Sequence, residues 1–465
     1  MLRIFKKYYP IRNFFFVMAE SILILVVVMI CSYTFFSTEP FSLDTMLVMK
    51  ILLVTSIWQI CFYYADLYDF EAREKLIERG TRISMALGIT AIVLSIIYYI
   101  FPDTNIDTKK FLASACLVGI LMVSWRLTFS VALKSDHFKR KIILIGTGQF
   151  ANEIKSEIDE KKDCGYSLVL KLNESELEDY KDKYDHTRSL DQKYEGSLCR
   201  SAKALKADKI IVAMNEIGNE LAMDELLKCR LNGIDIVAGD KFFEMLTGKL
   251  VVERMNPNWL VFEGGFTTSF MMGVIRRFLD LVLSLVITVL SAPLMMIVAI
   301  LIKLDSDGPV IYSQDRLGKN HKMFRIYKFR SMDKDAEKDS GPVITYKNDR
   351  RITKVGKYLR KWRIDETPQM WNVLKGDMSL VGPRPEREFL VEMFGSKIPH
   401  YDKRFCVTPG ITGWAQINCG YGDSLEDYIE KLNYDLFYLK NRSMLLDLMI
   451  LLRTIKTVLF GKGAR

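Results

Sequence analysis

Residues 363–386 have the sequence RIDETPQMWNVLKGDMSLVGPRPE, and this stretch decides how the C-terminal part of the chain is interpreted. Thr367 has the residue type of a helix N-cap and Gly376 that of a helix stop, so a short helix is predicted between them. Asp365 and Glu366 then lie at a helix N-terminus, whose dipole keeps a carboxylate ionised and attracts phosphate. An ordinary acidic helix start would also contain such acids, but it would not explain the Gly-Pro-Arg-Pro run that follows.

The segments before this stretch are strongly basic. FRIYKFRSM, residues 324–332, predicts a strand that carries Lys328 and Arg330. Residues 354–362 predict a basic helix that carries Arg360. Adjacent acids among several arginines can serve as nucleophile and metal ligand in phosphoryl transfer.

The composition of the whole chain indicates apolar blocks joined to charged blocks. The chain has 465 residues, a net charge of +9, 49% hydrophobic residues and 26% charged residues, and its mean hydropathy is +0.09. This combination excludes a disordered chain, a coiled coil and an ordinary cytosolic globular protein. The eight cysteines form no C-x-x-C pair, and with only four histidines they predict neither a disulfide scaffold nor a zinc site.

Four apolar blocks in the N-terminal part each have about the 20 residues that a membrane-spanning helix needs. They are residues 13–36, 45–64, 82–101 and 111–133. Lysine and arginine concentrate before the first block, between the second and third, and after the fourth, which predicts four spans with both ends in the cytoplasm. Glu20 and Arg126 are the only ionisable residues well inside the blocks, so the bundle is interpreted as an anchor and not as a transporter.

The middle of the chain alternates apolar strands with amphipathic helices. Residues 141–158 combine a strand, a G-x-G-x-x-A turn that begins at Gly146, and a helix, and further strands are predicted at 208–214 and 234–240. This alternation predicts a small, parallel, Rossmann-like sheet. Residues 159–207 are polar and loop-like and offer no clear ribose-binding acid, so a structural or regulatory module is preferred to a nucleotide site.

A rival class of protein also joins four spans to a Rossmann domain. These are the membrane-anchored, NAD-dependent sugar-nucleotide dehydratases, which need a tyrosine and a lysine four positions apart as catalytic base and partner. No Y-x-x-x-K occurs in this chain, so the dehydratase interpretation is disfavoured.

A fifth apolar block, residues 278–304, is also long enough to cross a membrane. Arg276 and Arg277 precede it and Lys303 follows it, so the distribution of charge favours neither side. Pro293 near its middle removes a helical hydrogen bond and can break the helix, which would let the segment enter one leaflet and return. The residues alone leave spanning and re-entry open.

Three motifs in the C-terminal part carry a resemblance to a known family. They are KFRSM at 328–332, DETPQMWNVLKGDMSLVGPRP at 365–385 and PGITGWAQIN at 409–418. With these motifs, the chain from about residue 273 onward resembles the bacterial sugar transferases that make polyprenyl-diphosphate-linked sugars, the monotopic phosphoglycosyl transferases. The four spans and the Rossmann-like module resemble the large, exopolysaccharide-initiating branch of that family.

The resemblance implies roles for individual residues. Asp365 is the expected nucleophile, Glu366 is its partner in a catalytic dyad, and both carboxylates are expected to bind Mg2+. The expected substrate-binding residues are Lys328, Arg330, Arg360, Pro383, Arg384, Arg387 and Arg404. Because nucleotide sugars are cytosolic, the implied activity favours re-entry of the fifth block over spanning.

Two departures from the family pattern bear on these expectations. The family's Ser-Pro helix break is Ala-Pro here, with a serine one position earlier, so Ser291 and Pro293 are the expected break. The Asn-Gly-Arg that often follows GWAQ is Asn-Cys-Gly from residue 418, which removes one phosphate-binding arginine. Arg404 and Arg387 are the candidates to replace it.

The predicted fold is that of a membrane protein of the α plus α/β class. It has a four-helix transmembrane bundle, a Rossmann-like α/β module, a re-entrant membrane helix and a small, mostly helical catalytic domain. The last apolar stretch, residues 444–460, is predicted to lie on the membrane as an interfacial helix. The predicted boundaries are 1–138 for the anchor, 139–250 for the module, 251–272 for a linker, 273–304 for the re-entrant helix and 305–465 for the catalytic domain.

The expected activity is transfer of a sugar 1-phosphate from a UDP-sugar to undecaprenyl phosphate, with release of UMP, through an aspartyl-phosphosugar intermediate. It is expected at the cytoplasmic face of the bacterial inner membrane, as the first membrane step of exopolysaccharide or glycan synthesis, with Mg2+ as cofactor. Membrane lipids and a second copy of the chain are the other expected partners, and no nucleic acid is expected. The alternative is a non-catalytic membrane scaffold or regulator of polysaccharide assembly that keeps this fold.

Overall fold

The computed structural model divides the chain into two compact units, Met1–Phe242 and Phe243–Arg465. Within them the described residues are mostly helical and include one four-stranded parallel sheet. The residues that the structure describes are 2–4, 7–9, 11–34, 45–65, 67–68, 76–101, 116–126, 128, 139–161, 164–173, 197–213, 220–254, 269–333, 349–420, 422 and 424–459.

The N-terminal unit starts with a short antiparallel hairpin and a set of apolar helices. The elements are β1 (Leu2–Ile4), β2 (Lys7–Tyr9), α1 (Ile11–Thr34), α2 (Thr45–Tyr64), α3 (Leu76–Ile100) and α4 (Cys116–Arg126). The four helices share one core, which includes Ile24 of α1, Trp58 of α2, Ala86 of α3 and Met122 of α4.

Membrane-crossing length differs among these helices. Within the described part of this unit, Gly80–Ile100 is the one stretch long and apolar enough to cross a membrane. Phe16–Cys31, Val48–Tyr64 and Cys116–Arg126 are shorter apolar helices. Both ends of the predicted fourth block, at 111–115 and 129–133, lie outside the described residues.

The two ionisable residues predicted inside the apolar blocks pair with each other. Arg126 donates from Nη2 to Oε1 of Glu20 at 2.7 Å, and both side chains are buried. A second guanidinium nitrogen of Arg126 donates to the carbonyl of Leu67. The pair therefore joins α1 to α4 in the interior of the unit, which is a packing role.

The parallel sheet lies in the second half of this unit, with strand order β4–β3–β5–β6. Its strands are β3 (Arg140–Ile145), β4 (Tyr166–Leu172), β5 (Lys209–Val212) and β6 (Asp235–Ala238). The helices that follow them are α5 (Gln149–Glu160), α6 (Ser197–Ala204), α7 (Glu220–Leu231) and α8 (Gly239–Thr247). The predicted small parallel sheet is confirmed.

One part of the prediction for this sheet is wrong. Residues 159–207 were expected to be loop-like, but they contain β4 and α6. β4 is an edge strand in which Ser167 and Lys171 interrupt the apolar residues, and Lys171 donates to the side chain of Asn152 at 2.6 Å. Such a mixed pattern gives a weaker strand signal than the continuous apolar runs of β3 and β5.

The boundary between the units falls earlier than the predicted module end at residue 250, because residues 243–254 pack within the C-terminal unit. Lys440 Nζ donates to Glu244 Oε2 at 2.7 Å, and both residues are buried. Trp414 Nε1 donates to the carbonyl of Gly248 at 2.8 Å. These contacts make the segment part of the packing around the helices that contain Trp414 and Lys440.

The C-terminal unit combines one long apolar helix with short helices and two small strand pairs. Its helices are α9 (Phe270–Asp305), α10 (Lys354–Lys361), α11 (Met370–Lys375), α12 (Glu388–Gly395), α13 (Trp414–Asn418), α14 (Leu425–Asn441) and α15 (Met444–Leu459). Its strands are β7 (Ile311–Leu317), β8 (Met323–Phe329), β9 (Ser379–Val381) and β10 (Gly410–Thr412). Short 3-10 helices cover Val252–Arg254, Lys319–His321, Ile364–Gln369 and Tyr401–Cys406.

Helix α9 runs without interruption through the predicted break. It holds Pro293 in its interior, and Phe270–Asp305 is the described stretch of this unit that is long and apolar enough to cross a membrane. The hydroxyl of Ser291 donates to the carbonyl of Thr288 at 3.4 Å in the turn before the proline. A proline removes one hydrogen bond and can bend a helix without ending it, so α9 continues past Ser291 and Pro293, and a re-entrant break at these residues stays a prediction.

Both ends of α9 contact the rest of the C-terminal unit. Near the start, Arg276 Nη2 lies 2.5 Å from Oδ2 of Asp447, and Asp280 accepts a hydrogen bond from the hydroxyl of Ser379 at 2.7 Å. Near the end, Val298 and Ile302 join a buried cluster with Phe329 and Leu359. Between these contacts, no residue from 285 to 297 is buried, although most are large and apolar.

Candidate active site

The two adjacent acids lie in a tight turn between α10 and α11. Arg363 precedes the turn in the left-handed conformation, with φ of 52°, and the 3-10 helix that follows has Asp365 and Glu366 in its first turn. The predicted stop at Gly376 is confirmed by its φ of 99° at the end of α11. The predicted N-cap at Thr367 is wrong, because its hydroxyl donates to the carbonyl three residues earlier at 2.8 Å, inside the 3-10 helix.

Glu366 is the ion-paired member of the two acids. Its Oε1 accepts from Arg384 Nη2 at 2.7 Å and from Lys328 Nζ at 3.0 Å. Burial opposes ionisation of this carboxyl, but Arg384 and Lys328 outweigh burial and hold its pKa well below the ordinary value. Glu366 is therefore ionised at neutral pH and fixes two cations on one side of the turn.

Asp365 has a different environment although it is the neighbouring residue. It is 8% exposed, and no side chain or amide in the described part of the chain makes a hydrogen bond or ion pair with its carboxylate. Burial and the negative charge of Glu366 raise its pKa to about 6, against the opposing charges of Lys328, Arg360 and Arg384. A desolvated carboxylate that is still mostly ionised at pH 7 is suited to act as a nucleophile.

Lys328 is positioned by the sheet and by an asparagine beneath it. The predicted strand is confirmed as β8, which pairs with β7 so that Lys328 lies opposite Tyr312. Asn372 of α11 is fully buried, accepts from the amide of Tyr327 at 3.1 Å and donates to the carbonyl of Arg325 at 2.8 Å. Burial lowers the pKa of Lys328, whose ammonium is held against Glu366.

Arg384 is positioned by contacts between the Gly-Pro-Arg-Pro loop and the PGITG segment. The amide of Gly382 donates to the carbonyl of Thr412 at 2.9 Å, and the amide of Gly410 donates to the carbonyl of Pro383 at 2.9 Å. A Cβ at Gly410 would lie 2.0 Å from the amide nitrogen of Gly382, so the backbones approach more closely than any side chain permits. Pro383 therefore enters the site through its backbone, which fixes the loop that carries Arg384.

Two other predicted arginines lie at the edges of this group. Arg360 is near the end of α10, and its charge counts among those that oppose the raised pKa of Asp365. Arg387 is the N-cap of α12, three residues beyond Arg384, and its charge acts on Arg316 of β7.

Arg404 lies in a buried network behind the loop. Its Nη2 donates to Asp435 Oδ2 at 2.8 Å and to the carbonyl of Arg384 at 3.3 Å, and its Nη1 donates to the hydroxyl of Tyr401 at 3.0 Å and to Glu386 Oε1 at 3.4 Å. With 4% exposure, Arg404 supports the loop from behind and does not stand in place of the arginine that is missing after residue 418.

Arg330 is not brought together with the acids. It follows the last residue of β8 and donates to the carbonyls of Ser306 and Asp307 at 2.6 and 2.9 Å, where it caps the C-terminal end of α9. Its side chain is buried there. The structure thus places Arg330 where it anchors the long helix, one residue beyond the end of β8, where its amide donates to the carbonyl of Val310 at 2.9 Å.

Arg316 lies beside the site on β7 and was not predicted from the sequence. Its Nη1 contacts the carbonyl of Pro385 at 3.5 Å, and burial lowers its pKa to about 10. In the sequence, Arg316 is one polar residue among several in an alternating strand. Its place beside the site depends on the contact between this strand and the Gly-Pro-Arg-Pro loop, which is a tertiary contact.

The carboxylates fit Mg2+ only with help from a substrate. Among the described residues, no three Asp, Glu, His or Cys side chains converge on one point. Mg2+ is commonly held by one or two carboxylates with substrate phosphates completing its shell. Asp365, whose oxygens have no partner among the described residues, and the adjacent Glu366 match that arrangement.

Comparison with known proteins places these residues in a family. The profile described as "Bacterial sugar transferase" matches residues 271–461, which include both acids and the basic strand. The galactosyl transferase CpsE of Streptococcus agalactiae is 30% identical over 440 residues, which cover 89% of this chain and 94% of that protein. The chain belongs to the bacterial sugar transferase family. The predicted resemblance is confirmed.

Other members of the bacterial sugar transferase family align with smaller parts of the chain. The exopolysaccharide production protein PSS of Rhizobium leguminosarum is 41% identical over 196 residues, which cover 41% of this chain and 98% of that protein. The UDP-N-acetylgalactosamine-undecaprenyl-phosphate N-acetylgalactosaminephosphotransferase of Aeromonas hydrophila is 44% identical over 240 residues, which cover 52% of this chain and 56% of that protein. The chain spans about half the length of several relatives it matches.

Proposed function

We propose that this chain transfers a sugar 1-phosphate from a UDP-sugar to undecaprenyl phosphate and releases UMP. The observation that carries the proposal is the contrast between two adjacent carboxylates. Asp365 is desolvated and has no hydrogen-bond or ion-pair partner in the part of the chain that the structure describes, whereas Glu366 is ionised and holds Lys328 and Arg384. The similarity to the UDP-glucose:undecaprenyl-phosphate glucose-1-phosphate transferase of Klebsiella pneumoniae supports the same substrate classes.

In the first step, a carboxylate oxygen of Asp365 attacks the phosphorus attached to the sugar. A bond forms between that oxygen and phosphorus, the bond from phosphorus to the bridging oxygen breaks, and UMP leaves with the bonding electron pair. Lys328 and Arg384 are placed to stabilise the negative charge on the phosphoryl oxygens, since Glu366 fixes both of them beside Asp365.

In the second step, a phosphate oxygen of undecaprenyl phosphate attacks the same phosphorus. The bond from phosphorus to Asp365 breaks, the carboxylate is regenerated, and the product is the lipid diphosphate sugar. Two displacements on one phosphorus replace a single transfer between two anionic substrates. The side chain of Arg384 is 37% exposed, which leaves it accessible to both the nucleotide sugar and the lipid phosphate.

Asp365 and Glu366 are the residues that would hold Mg2+ together with the substrate diphosphate. When bound, the ion would neutralise diphosphate charge and favour departure of the nucleoside monophosphate. Glu366 keeps its charge at neutral pH because Arg384 and Lys328 stabilise it, so one carboxylate ligand is available throughout turnover.

Both ends of α9 lie on one side of the membrane in this proposal. Residues 285–297 contain no buried residue and are mostly apolar, so they are suited to lipid, while Arg276 and Arg330 attach the two ends of the helix to the same unit. If that unit lies at the cytoplasmic face of the bacterial inner membrane, where nucleotide sugars occur, α9 re-enters and does not span.

Cysteine labelling tests the placement of α9. In a cysteine-free background, single cysteines at the exposed positions Gly273 and Asp307 should both react with an impermeant maleimide only from the cytoplasmic side. Reaction of Asp307→Cys from the outside would show a fifth span and would separate the catalytic unit from its nucleotide sugar.

The N-terminal unit completes the proposal as an anchor. We assign α1–α4 to a four-helix transmembrane bundle with cytoplasmic ends and the parallel sheet to a Rossmann-like module with a structural or regulatory role. α15 would lie on the membrane surface, because Leu445, Leu448, Leu452 and Ile455 are exposed on it. Association of two copies of the chain stays a prediction.

Release of UMP is the experiment that tests the function. Purified full-length protein in nanodiscs is incubated with Mg2+, undecaprenyl phosphate and, one at a time, UDP-glucose, UDP-galactose, UDP-N-acetylglucosamine and UDP-N-acetylgalactosamine. The proposal predicts continuous UMP release with at least one UDP-sugar only when the lipid phosphate is present, and none with the Asp365→Asn variant. No release with any of them would favour the non-catalytic scaffold that the sequence left as the alternative.

A further inference from the structure

One arginine beside the active site has a buried donor that the protein does not use. In the described part of the chain, Arg316 makes no ion pair, and its Nε is buried without a hydrogen-bond partner. Its other contacts are a hydrogen bond from Nη2 to Gln314 Oε1 at 3.0 Å and the long contact with the carbonyl of Pro385. A half-buried guanidinium whose buried Nε has no hydrogen-bond partner, and which pairs with no carboxylate in the described part of the chain, is a candidate binding group for an anion.

The hairpin places Arg316 on the same face as Lys328. In the β7–β8 register Tyr312 pairs with Lys328 and Arg316 pairs with Phe324, and alternate residues of a strand share a face. The end of β7 is also fixed to the Gly-Pro-Arg-Pro loop, because the amide of Leu317 donates to the carbonyl of Glu386 at 3.0 Å. Arg316 therefore lies on the hairpin face that carries Lys328, four residues farther along β7 than the partner of Lys328, and close to the loop that carries Arg384.

The charged groups that act on Arg316 differ from those that act on Asp365, the proposed nucleophile. The groups that act most strongly on Asp365 are Glu366, Lys328, Arg360 and Arg384. The charge of Arg316 acts on Lys328, and Arg316 itself responds to Glu386, Arg387 and Arg384. In the hairpin register Lys328 pairs with Tyr312 and contacts Glu366, whereas Arg316 is four residues farther along β7, so Arg316 lies farther along this face from Glu366 than Lys328 does.

We propose that Arg316 binds the nucleotide-side phosphoryl group of the nucleoside diphosphate sugar, the group that leaves as the nucleoside monophosphate. The proposal rests on the proposed function, because attack by Asp365 places the sugar-side phosphorus next to that residue. The second phosphoryl group then lies farther from Asp365, beside the unused donor of Arg316. An arginine in this place supplies a phosphate contact in a chain where residue 420 is glycine and Arg404 is engaged behind the loop.

Ligand affinity tests the proposal without requiring turnover. Binding of UMP and of uridine to the full-length protein is measured by calorimetry for wild type, Arg316→Gln and Arg316→Lys. Losing a charged hydrogen bond to phosphate should weaken UMP binding by about 10- to 100-fold in Arg316→Gln and leave uridine binding unchanged. Arg316→Lys, which keeps the charge, should lose less.

The control variant is Arg325→Gln in the same hairpin. Arg325 lies on the opposite face of β8, is 63% exposed and contacts Asp315 at 3.5 Å, so its loss should leave UMP binding unchanged. A double-mutant cycle with Arg384→Gln separates direct binding from support of the loop. A direct contact predicts a similar fold-loss from Arg316→Gln in both backgrounds.

Two results would overturn the proposal. One is UMP affinity within twofold of wild type in an Arg316→Gln protein whose thermal unfolding is unchanged. The other is an effect of Arg316→Gln that disappears in the Arg384→Gln background, which would make Arg316 a support for the loop. Failure of the proposed function gives a different pattern, in which UMP binds and responds to Arg316→Gln while no UDP-sugar is turned over.

Discussion

Replacing Asp365 with asparagine should stabilise the C-terminal unit, although the change removes the proposed nucleophile. Burial and the adjacent charge of Glu366 raise the pKa of Asp365 from 3.8 to about 6. The folded protein therefore disfavours the ionised carboxyl relative to the unfolded chain, and the full cost applies at every pH above about 6. That difference in pKa corresponds to about 3 kcal/mol as a ceiling, and asparagine removes the charge at nearly constant shape.

The neighbouring isosteric substitution, Glu366→Gln, should have the opposite sign. The pKa of Glu366 is depressed, so its ionised form stabilises the fold at all pH values above the ordinary glutamate pKa. Glutamine would leave Lys328 largely buried without an ion-pair partner, which costs about 3–5 kcal/mol. Relief of the repulsion on Asp365 offsets part of that cost and does not reverse it.

Thermal unfolding of the three proteins in one detergent, at pH 8 and at pH 5, measures these effects. One kcal/mol shifts the unfolding temperature of a domain of this size by about 2–4 °C. Asp365→Asn should therefore unfold roughly 5–10 °C above wild type at pH 8, and its advantage should fall to about half at pH 5, where wild-type Asp365 is mostly protonated. Two results would refute this electrostatic explanation of the site. One is an Asp365→Asn protein that is less stable than wild type at pH 8. The other is a gain in unfolding temperature over wild type that is the same at pH 8 and at pH 5.

Three further predictions use other features of the C-terminal unit. Turnover should fall as the pH drops below about 6, because Asp365 becomes protonated, and a pH–rate profile that is flat from pH 5 to pH 8 would indicate another nucleophile. Arg330→Gln should lower the unfolding temperature while UMP affinity stays within about twofold, because its donors cap α9; a selective loss of UMP affinity would return Arg330 to the substrate site. Deletion of residues 1–242 should leave a unit that is monodisperse in gel filtration. Deletion of residues 1–270 should cause aggregation, because it also removes Glu244, the ion-pair partner of the buried Lys440. If both truncated proteins behave alike, this ion pair is dispensable.

The elements of the fold followed from sequence where one physical signal dominated. The buried strands β3 and β5 are continuous apolar runs, and the basic strand and helix were predicted to within three residues of the ends of β8 and α10. β4 was missed, because an edge strand carries polar residues such as Lys171 that weaken the pattern. Pro293 predicted a break in the helix, but α9 continues past it. A proline removes one helical hydrogen bond and does not necessarily end the helix.

The site was predictable as a set of residues but not as an arrangement. The adjacent acids, Lys328 and Arg384 meet as expected, because three motifs bring them to one turn. Arg330 lies two residues after Lys328, so an extended strand would place both side chains on one face. Arg330 instead follows the last residue of β8, and its side chain caps α9. Arg404 is committed to Asp435, 31 residues away, and no local pattern reports such a contact.

The covalent intermediate on Asp365 is the main feature of the proposed mechanism, and its capture is the decisive experiment. The purified protein is incubated with Mg2+ and a UDP-sugar labelled in the sugar, without undecaprenyl phosphate, then quenched and analysed by intact mass and peptide mapping. We expect up to one sugar phosphate per chain on the peptide that contains Asp365, an equal amount of UMP, and loss of the label when undecaprenyl phosphate is added. Label on the Asp365→Asn protein, or lipid-dependent transfer by that variant at the wild-type rate, would contradict the proposed mechanism.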